Sequence, residues 1–200
     1  SDTLSSSIFK DQERLKLVMP CVGDDYVVRE WLVYKIYNLV TPKSFRARLV
    51  SVELYDTKKK KSTSPFYGIL LEEDRQMAKR NDDVVVKRQL RPEETDQTTF
   101  LKMAMFEYLV GNTDWSVQYQ NIKLLAPGTD TLTTPATVPY DFDHAGLVSP
   151  PYAKPAEQLN MNSVRERRYR GYCLQDLKKF DDAIALYNKI KPEIYKLYTD

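Results

Sequence analysis

The sequence predicts an α+β protein that forms a single domain. Three observations support this prediction. The chain has 200 residues, which is enough for one well-packed domain. Its first half combines a long helical pattern with runs of β-branched and aromatic residues, and its second half has a strong helical pattern followed by short strands and further helical sequence. We therefore expect a helix and strands in residues 1–74, a connector in 75–97 and a mainly helical part in 98–200.

Composition and charge narrow the classes of function. The 42% hydrophobic and 29% charged content is ordinary for a globular protein. The net charge of +2 is too small to direct the whole protein to nucleic acid, so we expect no such partner. No window approaches the roughly 18 apolar residues of a membrane span, so none is expected. One histidine is too few for a zinc site, and Cys21 and Cys173 are interpreted as buried free thiols.

The first predicted helix covers about residues 24–40. Asp24 and Asp25 are suited to cap it, apolar residues recur at three- and four-residue steps, and Pro42 follows its predicted end. We expect the helix to pack on the sheet and to leave Glu30 facing a cleft. The packing face is expected to consist of Trp31, Leu32, Ile36 and Leu39.

A hairpin and a connector are predicted next. Residues 45–56 and 66–74 are rich in β-branched and aromatic types and flank four consecutive lysines, which indicates two strands with a long charged tip. Residues 74–83 are charged and predict a short helix, and 83–90 (DVVVKRQL) predict a strand or an extended segment.

The second half begins with a helix over 98–110, capped by a threonine and ended by Gly111. Two short strands, QNIKLLAP and TVPYDFD, are predicted on either side of the polar loop GTDTLTTPA. Two closing helices are predicted, SVRERRYRGYCL and FDDAIALYNKIKPEIYKLY, with the second one interrupted before Pro192.

A set of polar residues lies around these two strands. GNTDWSVQYQN brings Asp114 and Asn121 after the helix, and PYDFDHAG brings Asp141, Asp143 and His144 after the second strand. This order is typical of kinase-like phosphotransferases, in which one Asp orients the acceptor hydroxyl and an Asn and a second Asp hold Mg²⁺ on the nucleotide phosphates. Carboxylate and amide oxygens are ligands that Mg²⁺ prefers. The set therefore predicts a Mg²⁺ and ATP site.

The same segments resemble a known family. GNTDWSVQYQN with PYDFD resembles the catalytic-loop and metal-loop pair of CotH-type atypical kinases and, more distantly, the corresponding loops of HipA-like kinases. VVREWLVYKIYNLVTPKSFRARLVSVELYD resembles that family's helix and following strand, and FYGILLEEDRQMAKR its strand leading into the connector. The resemblance extends from about Lys16 to about Gly146. It implies a protein-kinase-like fold with a reduced or truncated N-terminal lobe, and an exported or cell-envelope location.

The resemblance also implies roles for individual residues. Asp114 matches the catalytic Asp, and the metal ligands match Asn121 and Asp141, with Asp143 as a helper. Three residues are candidates for binding the nucleotide: Lys16, Glu30 and Glu72. Lys16 and Glu30 resemble the lysine and helix glutamate that form an ion pair and order the phosphates. The acceptor is a protein or small-molecule hydroxyl that the sequence does not specify.

The chain departs from the family pattern in two places. Asp114 and Asn121 are seven residues apart where protein kinases have five, and Gln120 replaces a His common in CotH-type loops. The glycine-rich strand pair that covers the nucleotide should precede Lys16, where only SDTLSSSIFKDQER is found, so either the chain lacks its first strands or the nucleotide is held by other means. These departures leave open a scaffold or nucleotide-binding module without turnover. A nucleotide-sugar transferase that uses the DFD triplet is a further alternative.

Several of these residues also have purely structural interpretations. Asp114 follows Gly-Asn-Thr and could form a turn through side-chain to backbone bonds. Asp141 and Asp143 would share one face of a strand and could lie at its exposed end. His144 is interpreted as a hydrogen-bonded loop residue. Four arginines of the closing segment are expected to form salt bridges with nearby acids: Arg165, Arg167, Arg168 and Arg170.

Overall fold

The computed structural model describes residues 14–128, 133–171, 174 and 176–199. This part of the chain is α+β, with small antiparallel sheets and four α-helices. Strands are β1 (Leu15–Val18), β2 (Ala47–Val52), β3 (Tyr55–Asp56), β4 (Lys61–Ser62), β5 (Phe66–Glu72), β6 (Asp83–Val86), β7 (Ile122–Pro127) and β8 (Ala136–Pro139). Helices are α1 (Asp24–Val40), α2 (Asp74–Lys79), α3 (Gln97–Val110) and α4 (Asp181–Lys196).

The first sheet has the order β1-β5-β2 and is antiparallel throughout. Helix α1 packs on one face of it, against Ile69 and Leu71 of β5, which are both buried. The predicted bounds of α1 are confirmed, but the predicted packing face is wrong in part. Ile36 is buried, whereas Trp31, Leu32 and Leu39 are half-buried. The buried face of α1 is therefore rotated around the helix axis relative to the predicted one. Besides Ile36, its buried residues are Val27, Glu30, Val33, Tyr34, Tyr37 and Val40.

The capping predictions also need correction. Gly23 is the N-cap of α1 and makes no side-chain cap bond; Asp24 instead accepts a hydrogen bond from the Tyr67 N–H at 2.9 Å. Asp96, and not a threonine, caps α3 by accepting from the Thr99 N–H at 2.8 Å. In both cases the Asp carboxylate accepts a hydrogen bond from a backbone amide that lacks another partner.

The predicted hairpin is present, and the short helix begins where predicted but is shorter than 74–83. Strands β2 and β5 extend into a small β3–β4 ladder whose lysine-rich tip is exposed. Helix α2 follows β5, and β6 then enters the second sheet, which has the order β6-β7-β8. Strand β8 ends at Pro139. Asp141 and Asp143 lie in the turn beyond it, so the prediction that they belong to the strand is wrong.

Helix α3 lies behind the second sheet and joins the two halves of the molecule. Phe106 packs its ring on those of Tyr37 from α1 and Phe142 from the turn after β8, with centroids 4.6 and 5.5 Å apart. These aromatic contacts belong to one continuous core that includes residues of both sheets. The helix ends at Gly111, which has a left-handed φ of 73° and so suits a residue without Cβ.

The closing segment differs from its prediction. Residues 163–171 form turns and irregular chain in place of the first closing helix, and 172, 173 and 175 lie outside the described residues. Its arginines bond to backbone carbonyls across the fold, which holds the chain out of a helix. Helix α4 continues through Pro192 without interruption. The carbonyl that Pro192 leaves without its helical partner belongs to Asn188, an exposed residue, so water can satisfy it.

Cys21 is free but exposed, so the expectation of a buried thiol is wrong for it, and Cys173 lies outside the described residues. Within the described ranges, no helix combines the length and the apolar character needed to cross a membrane.

Candidate functional site

The loop after α3 positions Asp114. Its backbone N–H donates to Oδ1 of Asn112 at 2.9 Å, and Asn112 is buried. Arg170 donates to the carbonyl of Thr113 and, at 2.8 Å, to that of Trp115, so it holds the chain on both sides of Asp114. Its guanidinium also lies over the Trp115 ring, 5.4 Å from the centroid. The loop is therefore fixed from the buried side while the Asp114 side chain remains half-buried at a cavity.

Asn121 and Gln120 both bond to the Asp114 carboxylate. The Asn121 amide donates to Oδ2 at 3.1 Å and to the backbone carbonyl of Asp114 at 2.6 Å, and the Gln120 amide donates to Oδ1. Ser116 and Gln120 exchange two backbone hydrogen bonds of 2.9 and 3.1 Å, which close the intervening residues into a tight turn. This turn explains how a seven-residue spacing still brings Asp114 to Asn121.

Asp141 is held in an uncommon backbone conformation, with a φ of 64°; Asn121 has a similar φ of 59°. Asp and Asn tolerate this region better than most residues, and such conformations gather at functional sites. The Asp141 N–H donates to the Tyr34 hydroxyl at 2.9 Å, and the Tyr34 ring packs edge-on against Phe142 at 4.8 Å. Helix α1 thus anchors the turn that carries Asp141.

Glu30 of α1 meets this turn and completes a cluster of carboxylates. Glu30, Asp141 and Asp143 line a cavity of about 180 Å³ between α1, the chain before it and the turn after β8. Burial, together with the charges of Asp141 and Asp143, raises the pKa of Glu30 to about 8. Burial and the Asp143 charge also raise the pKa of Asp141. Lys16 lowers both pKa values through its positive charge, so it belongs to the same electrostatic cluster.

The structure therefore brings together most of the predicted residues. Asp114 bonds to Asn121, and the Asn121 backbone carbonyl accepts from the Tyr140 N–H at 3.0 Å, next to Asp141, so the catalytic and metal candidates are neighbours, although Asp114 borders a different cavity from Asp141 and Asp143. Lys16 is exposed, and within the described ranges no ion pair of 4.0 Å or less joins it to Glu30. Their predicted pairing is thus electrostatic proximity and not a direct contact.

Glu72 is not brought to this group. It is buried, accepts from Arg80 Nε at 2.8 Å and Nη2 at 3.0 Å, and accepts from the Arg46 N–H at 3.0 Å. It borders a different cavity, beside β2. These contacts satisfy both carboxylate oxygens, so Glu72 connects the end of α2 to the start of β2 and stabilises the fold there.

His144 and the arginines have structural contacts. Nδ1 of His144 lies 3.2 and 3.3 Å from the backbone carbonyl and amide of Lys154, in agreement with a loop residue. The expectation of salt bridges is wrong for the arginines with described contacts. Arg165 bonds to Ser149, and Arg167 donates to the carbonyl of Leu109 at 3.1 Å.

Sequence reasoning missed the buried acid behind the loop. Glu107 is 1% exposed, and neither of its carboxyl oxygens has a hydrogen-bond partner among the described residues; the same is true of Asn112 Nδ2. Burial raises the pKa of Glu107 well above its ordinary value, while the nearby Asn112 amide acts in the opposite direction. Burial therefore favours the neutral form of Glu107. Its place on the covered face of α3, between Met103 and Val110, is the signal that could have revealed it.

The donor set fits a divalent cation in its chemistry. Asp141 and Asp143 carry more negative charge than Lys16 offsets, so a cation would be favoured there, and the Asn121 amide oxygen is not used by the bonds that its nitrogen makes. In the described part of the chain, no three His, Cys, Asp or Glu side chains already form a group that could hold a metal. A cation would therefore rely on the amide and on water or phosphate oxygens for its remaining ligands.

Comparison with family models, with curated proteins and with solved structures found no match to this chain.

Proposed function

We propose that the protein is a phosphotransferase of CotH-like type, which moves the γ-phosphoryl group of ATP, with Mg²⁺, to a hydroxyl of a protein or small molecule. A kinase-like fold is part of this proposal. The observation that carries it is the convergence of Asp114, Asn121 and Asp141, which come from two loops and are brought together by the bonds of Asn121 to Asp114 and to the Tyr140 amide. Such a convergence is what phosphoryl transfer requires, because catalysis there is mostly positioning and charge stabilisation.

The roles follow from the contacts. Asp141, Asp143 and the oxygen of Asn121 would hold Mg²⁺, which supplies positive charge to the phosphates. Lys16 supplies a further positive charge that lowers the pKa values of Glu30 and Asp141. Asp114 keeps a half-buried carboxylate at the mouth of a second cavity of about 820 Å³, where an acceptor could approach. The Gln120 and Asn121 amides orient this carboxylate.

Two substitutions separate metal binding from transfer. Asp141→Asn removes a ligand charge and retains the shape, so Mg²⁺-dependent ATP binding should be lost, and transfer with it. Asp114→Asn should leave that binding intact and lower transfer by about 10² to 10⁴-fold, the range for loss of a general base. Calorimetry with and without Mg²⁺ measures binding, and labelled ATP measures transfer to the protein itself and to water. Asp182→Asn, at an exposed position of α4, is the matched control and should behave as wild type.

The outcomes divide the alternatives. Mg²⁺-dependent binding by the wild type that Asp141→Asn abolishes supports the site. The same binding without transfer to any acceptor would replace the enzyme with a nucleotide-binding scaffold. Absence of Mg²⁺-dependent ATP binding by the wild type would overturn the proposal.

A further inference from the structure

Among the residues that the structure describes, strand β2 has an open edge. It is the last strand of the β1-β5-β2 sheet, and its partner β5 lies on one side only. The Glu72 N–H donates to the Arg46 carbonyl, directly opposite in the register. Because successive residues of a strand direct their amide groups to opposite edges, the backbone groups of Ala47, Leu49 and Ser51 point away from β5. These are the groups through which another strand could pair.

Only the first of these three positions is covered. The Trp31 indole donates to the Ala47 carbonyl at 3.2 Å and so closes the edge at its beginning. For the outward backbone groups of Leu49 and Ser51, the described residues provide no hydrogen-bond partner. An edge of this kind can accept an extended segment.

A groove follows this edge. The groove is a cavity of about 630 Å³. On the side of the sheet that faces α1, it is bordered by Trp31 and Lys35 of α1 and by Leu49 of β2. On the opposite face of the sheet, it is bordered by Arg46, Arg48 and Leu70. Because residues of both faces border it, the cavity reaches around the edge of β2, and it continues across the face opposite α1 as far as Leu15 of β1. The groove is therefore positioned to receive a chain that alternates its side chains between the two faces.

The groove is positively charged. Arg46 and Arg48 are exposed, and within the described residues neither they nor Lys35 has a carboxylate within 4.0 Å. The Lys35 ammonium lies over the Trp31 ring, 5.7 Å from its centroid. Arg80 also borders the groove, but it is occupied by Glu72. The free charge is thus positive on both sides of the strand.

We propose that the β2 edge binds an extended acidic segment of a partner protein by addition of a strand. Its backbone would pair with the amide groups of Leu49 and Ser51. Acidic side chains at alternate positions would face Arg46 and Arg48, which are themselves two residues apart, and the intervening side chains would contact Trp31 and Leu49. The groove shares no residue with the cavity of Glu30, Asp141 and Asp143, so this inference stands apart from the phosphotransferase proposal.

Three capped peptides of equal length test the inference. The first alternates Glu with Val; the second has the same sequence with N-methyl groups on the amides of one edge; the third alternates Lys with Val. Calorimetry should detect binding of the first peptide alone. NMR of the labelled protein should show slower amide exchange at Leu49 and Ser51 when it binds. The double variant Arg46→Glu, Arg48→Glu should weaken binding by about tenfold or more, since two attractive pairs become repulsive.

A charge-matched control distinguishes the groove from net charge. Lys58→Glu with Lys59→Glu makes the same change at the exposed hairpin tip and should leave the affinity unchanged. Four results would overturn the inference: no binding of the Glu-Val peptide, equal loss in both double variants, equal binding of the N-methylated peptide, or equally tight binding of a single-stranded oligonucleotide of the same charge. The last two would mean that charge suffices without a strand edge.

Discussion

The Asn121 amide donates to the Asp114 carboxylate at 3.1 Å and, at 2.6 Å, to the carbonyl of the same residue. One side chain therefore fixes both the backbone and the carboxylate of the proposed catalytic residue. Its nitrogen is used entirely in this contact, which turns the amide oxygen away from Asp114 and leaves it available to a cation. Asn121 thus takes part in both proposed roles of the site, because it orients the Asp114 carboxylate and offers an oxygen to the cation.

Asn121→Asp should destabilise the protein at neutral pH by about 1 to 3 kcal/mol, because a carboxylate would face the carboxylate and carbonyl of Asp114. Acid or Mg²⁺ should restore part of the loss. The left-handed φ of 59° is not the cause, since Asp tolerates it nearly as well as Asn. Asn121→Gly, which removes the bonds without adding charge, should cost less; denaturant titration with and without Mg²⁺ makes the comparison. Equal stability of Asn121→Asp and wild type would contradict this reasoning.

Glu107→Gln should change how stability depends on pH. Burial raises the pKa of Glu107 in the folded state, so the native protein holds a proton that the unfolded chain releases. Its contribution is complete below the ordinary pKa of a glutamate and is lost as pH rises towards the raised value. The slope approaches about 1.4 kcal/mol per pH unit, the figure for one bound proton. Glu107→Gln should reduce the slope by the share of Glu107 and leave the share of Glu30, whose pKa is raised to about 8, while the exposed Glu157→Gln should leave the whole slope unchanged in unfolding measured from pH 5 to 9.

Arg80→Met should destabilise the protein by about 3 to 5 kcal/mol, since it leaves the buried Glu72 carboxylate without its cation. Adding Glu72→Gln should recover much of the loss. Neither change should alter ATP affinity, because Glu72 borders the groove and not the carboxylate cleft. A specific loss of ATP binding in Glu72→Gln, with stability retained, would return Glu72 to the nucleotide site.

Pro192→Ala should stabilise the protein by about 1 to 3 kcal/mol, because it supplies the N–H that the interior of α4 lacks. Lys191→Ala, at the neighbouring exposed position, should change stability by less than about 0.5 kcal/mol. If Pro192→Ala proved neutral or harmful, α4 would have to end before residue 192 in solution.

The elements that the sequence predicted well are those with strong local signals. Helices α1 and α3 carry regular apolar repeats, and Pro42 and Gly111 mark their ends, so their bounds could be predicted within a residue or two. The face of α1 was harder to predict, because Glu30 and two tyrosines are buried among apolar residues. Their burial depends on the turn of Asp141 and on Phe106, which are distant in sequence.

The prediction of a helix at the start of the closing segment was wrong for a related reason. Residues 163–171 have a composition suited to a helix, but Arg167 and Arg170 reach carbonyls more than fifty residues away, at Leu109 and Thr113. Tertiary hydrogen bonds of this kind override local propensity. In the candidate site, residue types and order singled out Asp114, Asn121 and Asp141, which lie near one another in the structure, while Glu107 and Tyr34 emerged only from three-dimensional contacts.

The turn closed by Ser116 and Gln120 has a consequence for how such sites are recognised in other chains. Its two mutual bonds make the separation of Asp114 from Asn121 independent of how many residues lie between, because the added length is folded outward at the exposed Tyr119. Lengthening a closed surface loop costs little, only about 0.6 kcal/mol for each doubling. Insertions at Tyr119 should therefore be tolerated, and a search pattern with a fixed gap between aspartate and asparagine would pass over functional relatives that differ only in the size of this loop.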